Sequence, residues 1–208
     1  MGKLLSTSCR LNLRQFQEQH QVLKPCGTSH STPAMATAPA ADAVDPNRLA
    51  PFQPTSIAAI DEALALAGVT DTDCVWDLGC GDGRMVVRAA TQCGAHGVGV
   101  EYDAALVERA HAKVAEEGVG ETVEIRHGDV CECAWDDATM IFLYLVPTGI
   151  KKIYPKLNAA RLRPGTRIVT YIFSVKAWEP VEVRVVKGVK LYLYTAESKV
   201  RDPEEAKQ

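Results

Sequence analysis

The sequence predicts an α/β protein: a three-layer α/β/α sandwich on a seven-stranded, mostly parallel sheet that closes in an antiparallel hairpin. Three observations carry the prediction. Short apolar segments alternate with amphipathic stretches between Ser56 and Leu157, the pattern of parallel strands joined by crossover helices. Met140-Ile141-Phe142-Leu143-Tyr144-Leu145 is a continuous apolar run, as a strand covered on both faces requires. Val181–Val186 and Val189–Tyr194 are joined by Lys187-Gly188, which reads as a hairpin with a tight turn.

Taken in order, Thr55 or Ser56 caps a first helix with Ile57, Ile60 and Leu64 on one face and Gly68 as its stop. Cys74–Asp77 reads as the first strand, Gly79–Gly83 as a tight loop, and Arg84–Cys93 as a helix ended by Gly94. Gly97–Glu101 is the second strand, and Asp103 caps a helix that presents Leu106, Val107, Ala110 and Val114 and stops at Gly118. Val123–Arg126 is the third strand and Met140–Leu145 the fourth. Pro147 opens a helix with Ile150, Ile153 and Leu157 at helical spacing, and Thr166–Phe173 is the fifth strand.

Composition narrows the function classes. The chain has 208 residues, 47% of them hydrophobic and 24% charged, which suits one globular domain and some additional length. Net charge is −3, so no global electrostatic pull draws it to nucleic acid. Seven cysteines lack paired zinc spacing, which predicts reduced thiols in an intracellular compartment, and no metal site is expected. His96, His111 and His127 have no spacing that makes them a metal set. No apolar run is long enough to span a membrane.

The additional length divides from the domain by charge. Residues 1–46 hold Lys3, Arg10, Arg14 and Lys24 with Glu18 as the sole acid before Asp42, against a more acidic domain at 47–198 and a solvated tail at 199–208. Three readings of residues 1–46 stand side by side. They are a disordered tail or upstream extension of a chain starting at Met35, a basic amphipathic transit peptide that favours a mitochondrial over a cytoplasmic address, or a Gly2-myristoylated end with Cys9 as a second acylation site. Membrane contact is expected only if that end is acylated.

In a sheet of this kind ligands bind beyond the carboxyl ends of the strands, so the loops after Asp77, Glu101, Arg126 and Leu145 should converge. Gly79, Gly81 and Gly83 follow the first strand, where missing side chains let backbone turn sharply and approach a ligand. The sixth loop position is Arg84 where a dinucleotide fingerprint has glycine, and Asp77 stands two residues before the first glycine, which argues against a standard NAD site. Glu101 ends the second strand 18 residues after Gly83, placed to bind a ribose diol.

Val75-Trp76-Asp77-Leu78-Gly79-Cys80-Gly81-Asp82-Gly83-Arg84 resembles the first motif of class I S-adenosylmethionine-dependent methyltransferases, and the resemblance spans residues 51–178. It implies a Rossmann-like sandwich with S-adenosyl-L-methionine as cofactor. It further implies that Asp77 and the Gly79, Cys80, Gly81 and Gly83 backbone hold the methionine end. Glu101 beside Tyr102 would take the ribose, and Asp129 beside Val130 the adenine. A narrower resemblance rests on Pro51-Phe52-Gln53-Pro54-Thr55, Phe142-Leu143-Tyr144-Leu145-Val146-Pro147 and Leu162-Arg163-Pro164-Gly165-Thr166-Arg167. These are similar to the mitochondrial-type protein-lysine methyltransferases that modify an ATP synthase subunit or the adenine nucleotide carrier, and Phe142–Lys156 is distantly similar to Dot1-type histone lysine methyltransferases.

That likeness implies that Phe52 and Thr55 lie over the cofactor and that Tyr144 is the catalytic residue at the methyl acceptor, a lysine amine on a protein substrate. The fourth strand is not followed by Asn-Pro-Pro-Tyr or Asp-Pro-Pro-Tyr, so methyltransferases acting on adenine or glutamine amides fit less well and no nucleic-acid partner is expected. Two alternatives remain open. One is a small-molecule methyltransferase, for which Cys131-Glu132-Cys133 suggests thiol or arsenic chemistry; the other is a non-catalytic binding module on the same fold.

Overall fold

A computed structural model describes residues 52–159 and 162–198. The readings of residues 1–46 and of the tail at 199–208 lie outside these residues. The chain runs α1 (Ile57–Ala67), β1 (Cys74–Leu78), α2 (Arg84–Cys93), β2 (His96–Glu101), α3 (Ala104–Glu116), β3 (Val123–His127), β4 (Met140–Leu143), α4 (Pro147–Ala159), β5 (Arg167–Tyr171), β6 (Glu182–Val186) and β7 (Val189–Thr195). The seven strands form one sheet in the order β3-β2-β1-β4-β5-β7-β6. Strands β1 to β5 pair in parallel, and β7 enters antiparallel between β5 and β6. Strand order reverses direction at β1 and β4, so the crevice beyond their carboxyl ends is where such a sheet admits a ligand.

Local chemistry explains the helix ends. Ser56, not Thr55, caps α1 by accepting a hydrogen bond from the Ala59 N–H at 3.3 Å, and Gly68 ends it in a left-handed conformation. Asp103 caps α3 through the N–H groups of Ala105 and Leu106. On one face of the sheet, Val75 and Phe142 pack with Ile60, Ala63 and Leu64 of α1 and with Met85 and Ala89 of α2. Val86 and Val87 of α2 join Val107, Ala110 and Val114 of α3 over Val123 and Ile125. Ile150, Ile153 and Leu157 of α4 are buried as their spacing requires. Tyr154 of that helix meets Trp178 edge-on, and Trp178 meets Tyr194 of β7 in the same way.

Three expectations are corrected. Ile57 is 48% exposed, because the first turn of α1 extends past the packed face that begins at Ala59 and Ile60. Strand β4 stops at Leu143, which places Tyr144 and Leu145 in the loop at the carboxyl edge of the sheet. Strand β5 stops at Tyr171: Ile172 has φ of 68° and the Phe173 N–H donates to the Tyr171 carbonyl, a three-residue γ-turn that ejects Phe173 from the ladder. A β-branched residue at positive φ is strained, and turns of this kind gather at ligand sites.

At the opposite edge of the sheet Asp73 pairs with Arg167 and accepts a hydrogen bond from the Thr139 hydroxyl at 2.7 Å. Arg167 also donates to the carbonyls of Ala67 and Gly68 at the end of α1. This group ties α1, β1 and β5 together below the core, and leaves the other edge to form the site.

Close approach of α2 to β2 depends on Gly97, where a Cβ would sit 2.8 Å from Val86 Cβ and 3.0 Å from the Val86 carbonyl oxygen. Since helix backbone is in the way, Gly97→Ala is expected to cost about 1–3 kcal/mol by overpacking. Chemical denaturation should show a lower midpoint at unchanged slope.

Candidate active site

Beyond β1 the chain turns through Gly79–Gly83 and enters α2. The Gly79 and Cys80 N–H groups both donate to the Val100 carbonyl, at 2.9 and 3.0 Å, which folds the loop back onto β2. Glu101 completes the attachment from the end of β2. One carboxylate oxygen accepts the Gly81 N–H at 2.8 Å, and the other accepts the N–H groups of Tyr102 and Asp103 at 2.8 and 2.9 Å. The Gly128 N–H donates to the Glu101 carbonyl at 2.9 Å, so the loop after β3 is drawn to the same corner. Glu101 therefore has two tasks at one site: it braces both loops and remains partly exposed at the crevice.

Asp77 is the chemically unusual member. It is buried at the end of β1, and no hydrogen-bond donor or cation among the described residues meets its carboxylate. Burial, with the negative charges of Glu101 and Asp82 adding to it, pushes its pKa up to about 8. Asp82 has the opposite fate. Its carboxylate is gripped by the Arg84 guanidinium through Nε at 2.8 Å and Nη2 at 2.7 Å, which holds its pKa below the ordinary value against the effect of burial.

The same guanidinium reaches the segment before α1. Arg84 Nη1 donates to the carbonyl of buried Thr55 at 3.0 Å. The Phe52 ring lies on the loop, so that a Cβ on Gly81 would stand 2.6 Å from Phe52 Cε2. Only glycine admits a ring at that distance. The outer face of Phe52 carries the Arg109 guanidinium, 5.2 Å from the ring centre. Residues 52–55 thus form a strap across the glycine loop, held by an arginine at each end.

The other sequence-predicted residues fall as follows. Cys80 contributes its backbone alone, since its thiol is buried beneath the loop in the core formed by α2, α3 and β2, beside Gly99. Tyr102 is 40% exposed on the rim, with its carbonyl 3.0 Å from His127 Nε2. Asp129 accepts the Cys131 N–H at 2.7 Å, and Val130 is buried behind it. Tyr144 is half-buried at the mouth of β4 and meets Tyr171 of β5 edge-on, with ring centres 4.9 Å apart. Leu145 closes the gap to the glycine loop, its Cδ2 at 3.4 Å from where a Cβ on Gly79 would be.

Sequence reasoning missed three residues. Arg84 entered only as a departure from the dinucleotide fingerprint, although Asp82 and Arg84, two residues apart at a helix start, were a legible pair. Arg109 carries no signal, because nothing local shows that a mid-helix arginine faces Phe52. Lys156 is the third: its ammonium donates to the carbonyls of Val130 and Cys131 and lies 5.0 Å from the centre of the Trp135 ring, which fixes the loop that carries Asp129.

A family model, the ANTKMT methyltransferase domain, matches residues 77–182. A protein-lysine N-methyltransferase from Saccharolobus islandicus is 34% identical over 149 residues, covering 69% of this chain and 92% of its own length. The chain belongs to the ANTKMT methyltransferase family. A crystal structure of an RNA methyltransferase from Salinibacter ruber with S-adenosyl-L-homocysteine is 39% identical, with a TM-score of 0.69, over 72% of this chain and 97% of that one. A solved structure from Escherichia coli, 15% identical with a TM-score of 0.54 over 70% of this chain and 88% of that one, shares the fold.

This family member is an S-adenosylmethionine-dependent methyltransferase. Its site fits that cofactor: a buried carboxylate with no cation beside it among the described residues, flanked by a second acid, would be relieved by a ligand that carries ammonium and sulfonium charges.

Two predictions follow from this electrostatic arrangement. Between pH 4 and about 8 the unfolded Asp77 is ionised while the folded carboxyl keeps its proton, so this group lowers stability as pH rises and its full cost is present above pH 8. Asp77→Asn should therefore stabilise the ligand-free protein more at pH 8 than at pH 5.5 in denaturant titrations, while weakening S-adenosylmethionine binding. Arg84→Gln removes both the grip on Asp82 and the bond to Thr55, and calorimetry should show cofactor affinity falling about 10- to 100-fold. Arg84→Lys should restore little, because an ammonium cannot match the two-toothed pairing.

Proposed function

We propose that this chain methylates a lysine amine on a protein substrate. The observation that carries the reading is the half-buried Tyr144 set edge-on against the buried Tyr171 at the carboxyl ends of β4 and β5, next to Leu145 and hence to the glycine loop. When bound, S-adenosylmethionine supplies an activated methyl group on its sulfonium. The chain's own contribution is alignment and proton control. Lysine has an ordinary pKa near 10.4, so about one in 2,500 is neutral at pH 7, a deficit of roughly 4.6 kcal/mol. An apolar, aromatic mouth disfavours the charged amine and lowers its pKa, and the Tyr144 hydroxyl orients the neutral nitrogen. Asp77, Glu101 and Asp129 would hold the cofactor, with Phe52 and Thr55 in the strap that crosses the glycine loop. The Saccharolobus relative, a protein-lysine N-methyltransferase by name, supports the same acceptor.

A second reading has a specific observation behind it, since the Salinibacter structure is described as an RNA methyltransferase. The two separate in one experiment. Lysate incubated with the enzyme and methyl-labelled cofactor is divided into protein and RNA fractions; label on lysine in protein is the expected result, and label confined to RNA overturns the proposal. Tyr144→Phe should lower kcat about tenfold, as loss of one orienting hydrogen bond does, and Tyr144→Ala further. Full turnover in both variants would remove Tyr144 from the acceptor site.

The basic, acid-poor composition of residues 1–46 supports a mitochondrial address over a cytoplasmic one. Subcellular fractionation of the full chain tests it. No helix among the described residues is long and apolar enough to cross a membrane.

A further inference from the structure

Among the described residues, strand β6 is the outer strand of the sheet, bonded to β7 on one side only. Exposed sheet edges are normally blunted by proline, by lysine or by a cover, because their unpaired N–H and C=O groups invite another strand. Strand β6 itself, Glu182–Val186, holds neither proline nor lysine. Val181 stands just before it, after Pro180, and its N–H donates to the Leu193 carbonyl of β7 at 2.7 Å, so Val181 brings its side chain and not its N–H to the edge. Val181, Val183 and Val185 are 62%, 44% and 61% exposed, three of the five large hydrophobic residues that stand out at the surface of the described chain. Between them, Glu182 and Arg184 alternate with the valines and pair with each other at 2.7 Å, and Arg184 also reaches Glu62 of α1 at 2.7 Å.

The order of these five residues is self-complementary. When two such strands meet antiparallel about a two-fold axis at Val183, Val183 faces its own copy and Val181 faces Val185. Glu182 then faces Arg184, and the reciprocal pair forms on the other side of the axis. Every position finds an apolar or an opposite-charge partner, as an isologous contact demands. A shift by one residue sets valine against charge, so the sequence specifies the register as well as the partner.

We propose that β6 pairs antiparallel with β6 of a second copy of this chain, joining two seven-stranded sheets into one across a two-fold axis at Val183. β7 and β5 lie between this edge and the crevice at β1 and β4, so pairing leaves both active sites open. Five residues a side is a small contact, below the size of permanent dimers, and the association is concentration-dependent.

Sedimentation of the full chain at increasing concentration is the test. The dimer fraction is expected to rise with concentration. Glu182→Arg sets Arg against Arg, Arg184→Glu sets Glu against Glu, and each should return the monomer; Glu182→Arg combined with Arg184→Glu restores complementarity and should restore the dimer. In Val183→Cys, the two Cα atoms would stand about 5.5 Å apart, within the roughly 4.4–6.8 Å that a disulfide spans, so mild oxidation should give a covalent dimer that the unsubstituted chain does not form. A monomer at all concentrations overturns the proposal, as does a dimer unaffected by both single charge reversals. A monomer whose Val183 amide resists hydrogen exchange would show the edge covered by the chain's own residues, and overturns it too.

Discussion

Three backbone N–H groups held by one carboxylate, that of Glu101, organise the crevice on which the rest of the site depends. Glycine loops have little structure of their own, and a chain passing through Gly79, Gly81 and Gly83 is free to take many paths. The Glu101 bonds, with those from Gly79 and Cys80 to the Val100 carbonyl, hold it to the end of β2. Glu101 and the glycine loop are then set at fixed places by the chain itself, so little ordering entropy remains to be lost when a ligand binds there. The cost is borne at Asp77, whose carboxyl is buried near Glu101 and Asp82 and meets no cation or hydrogen-bond donor among the described residues.

That unbalanced charge distinguishes a binding site from a structural ion pair. At the other edge of the sheet, Asp73 is also buried among strands, yet it has Arg167, the Thr139 hydroxyl and the Thr70 N–H as partners, and its pKa is held below the ordinary value. One acid is satisfied within the fold, and the other meets no hydrogen-bond donor or cation among the described residues. Asp82 shows a third solution, where Arg84 neutralises the acid and uses its remaining N–H to hold the Phe52–Thr55 strap. The strap, the loop and the helix start are therefore one mechanical unit, and it sits on the face of the glycine loop, while the aromatic pair opens at β4 and β5.

Much of this was legible in the residues. Alternating segments, the caps at Ser56 and Asp103 and the hairpin at Lys187-Gly188 depend on neighbours within a few positions, which is the range over which local chemistry acts. Errors occurred where a long-range contact overrode a local pattern. The run from Met140 to Leu145 is apolar throughout, but β4 ends at Leu143, and Tyr144 beyond it meets Tyr171 edge-on. Phe173 continues the apolar character of β5, but the γ-turn at Ile172 removes it.

By itself, the sequence determined the three-layer architecture, the glycine loop and the acids at the strand ends, because each is written as spacing along the chain. Tertiary structure decided how those residues act on one another. It placed Arg84 against Thr55, 29 positions away, and set Phe52 between Gly81 and Arg109. It also buried Asp77 where no described residue offers it a donor or a cation. The reason is physical: spacing fixes which way a side chain points, but charge balance and close packing depend on what stands across the gap, and that is known only once strands and helices have come together.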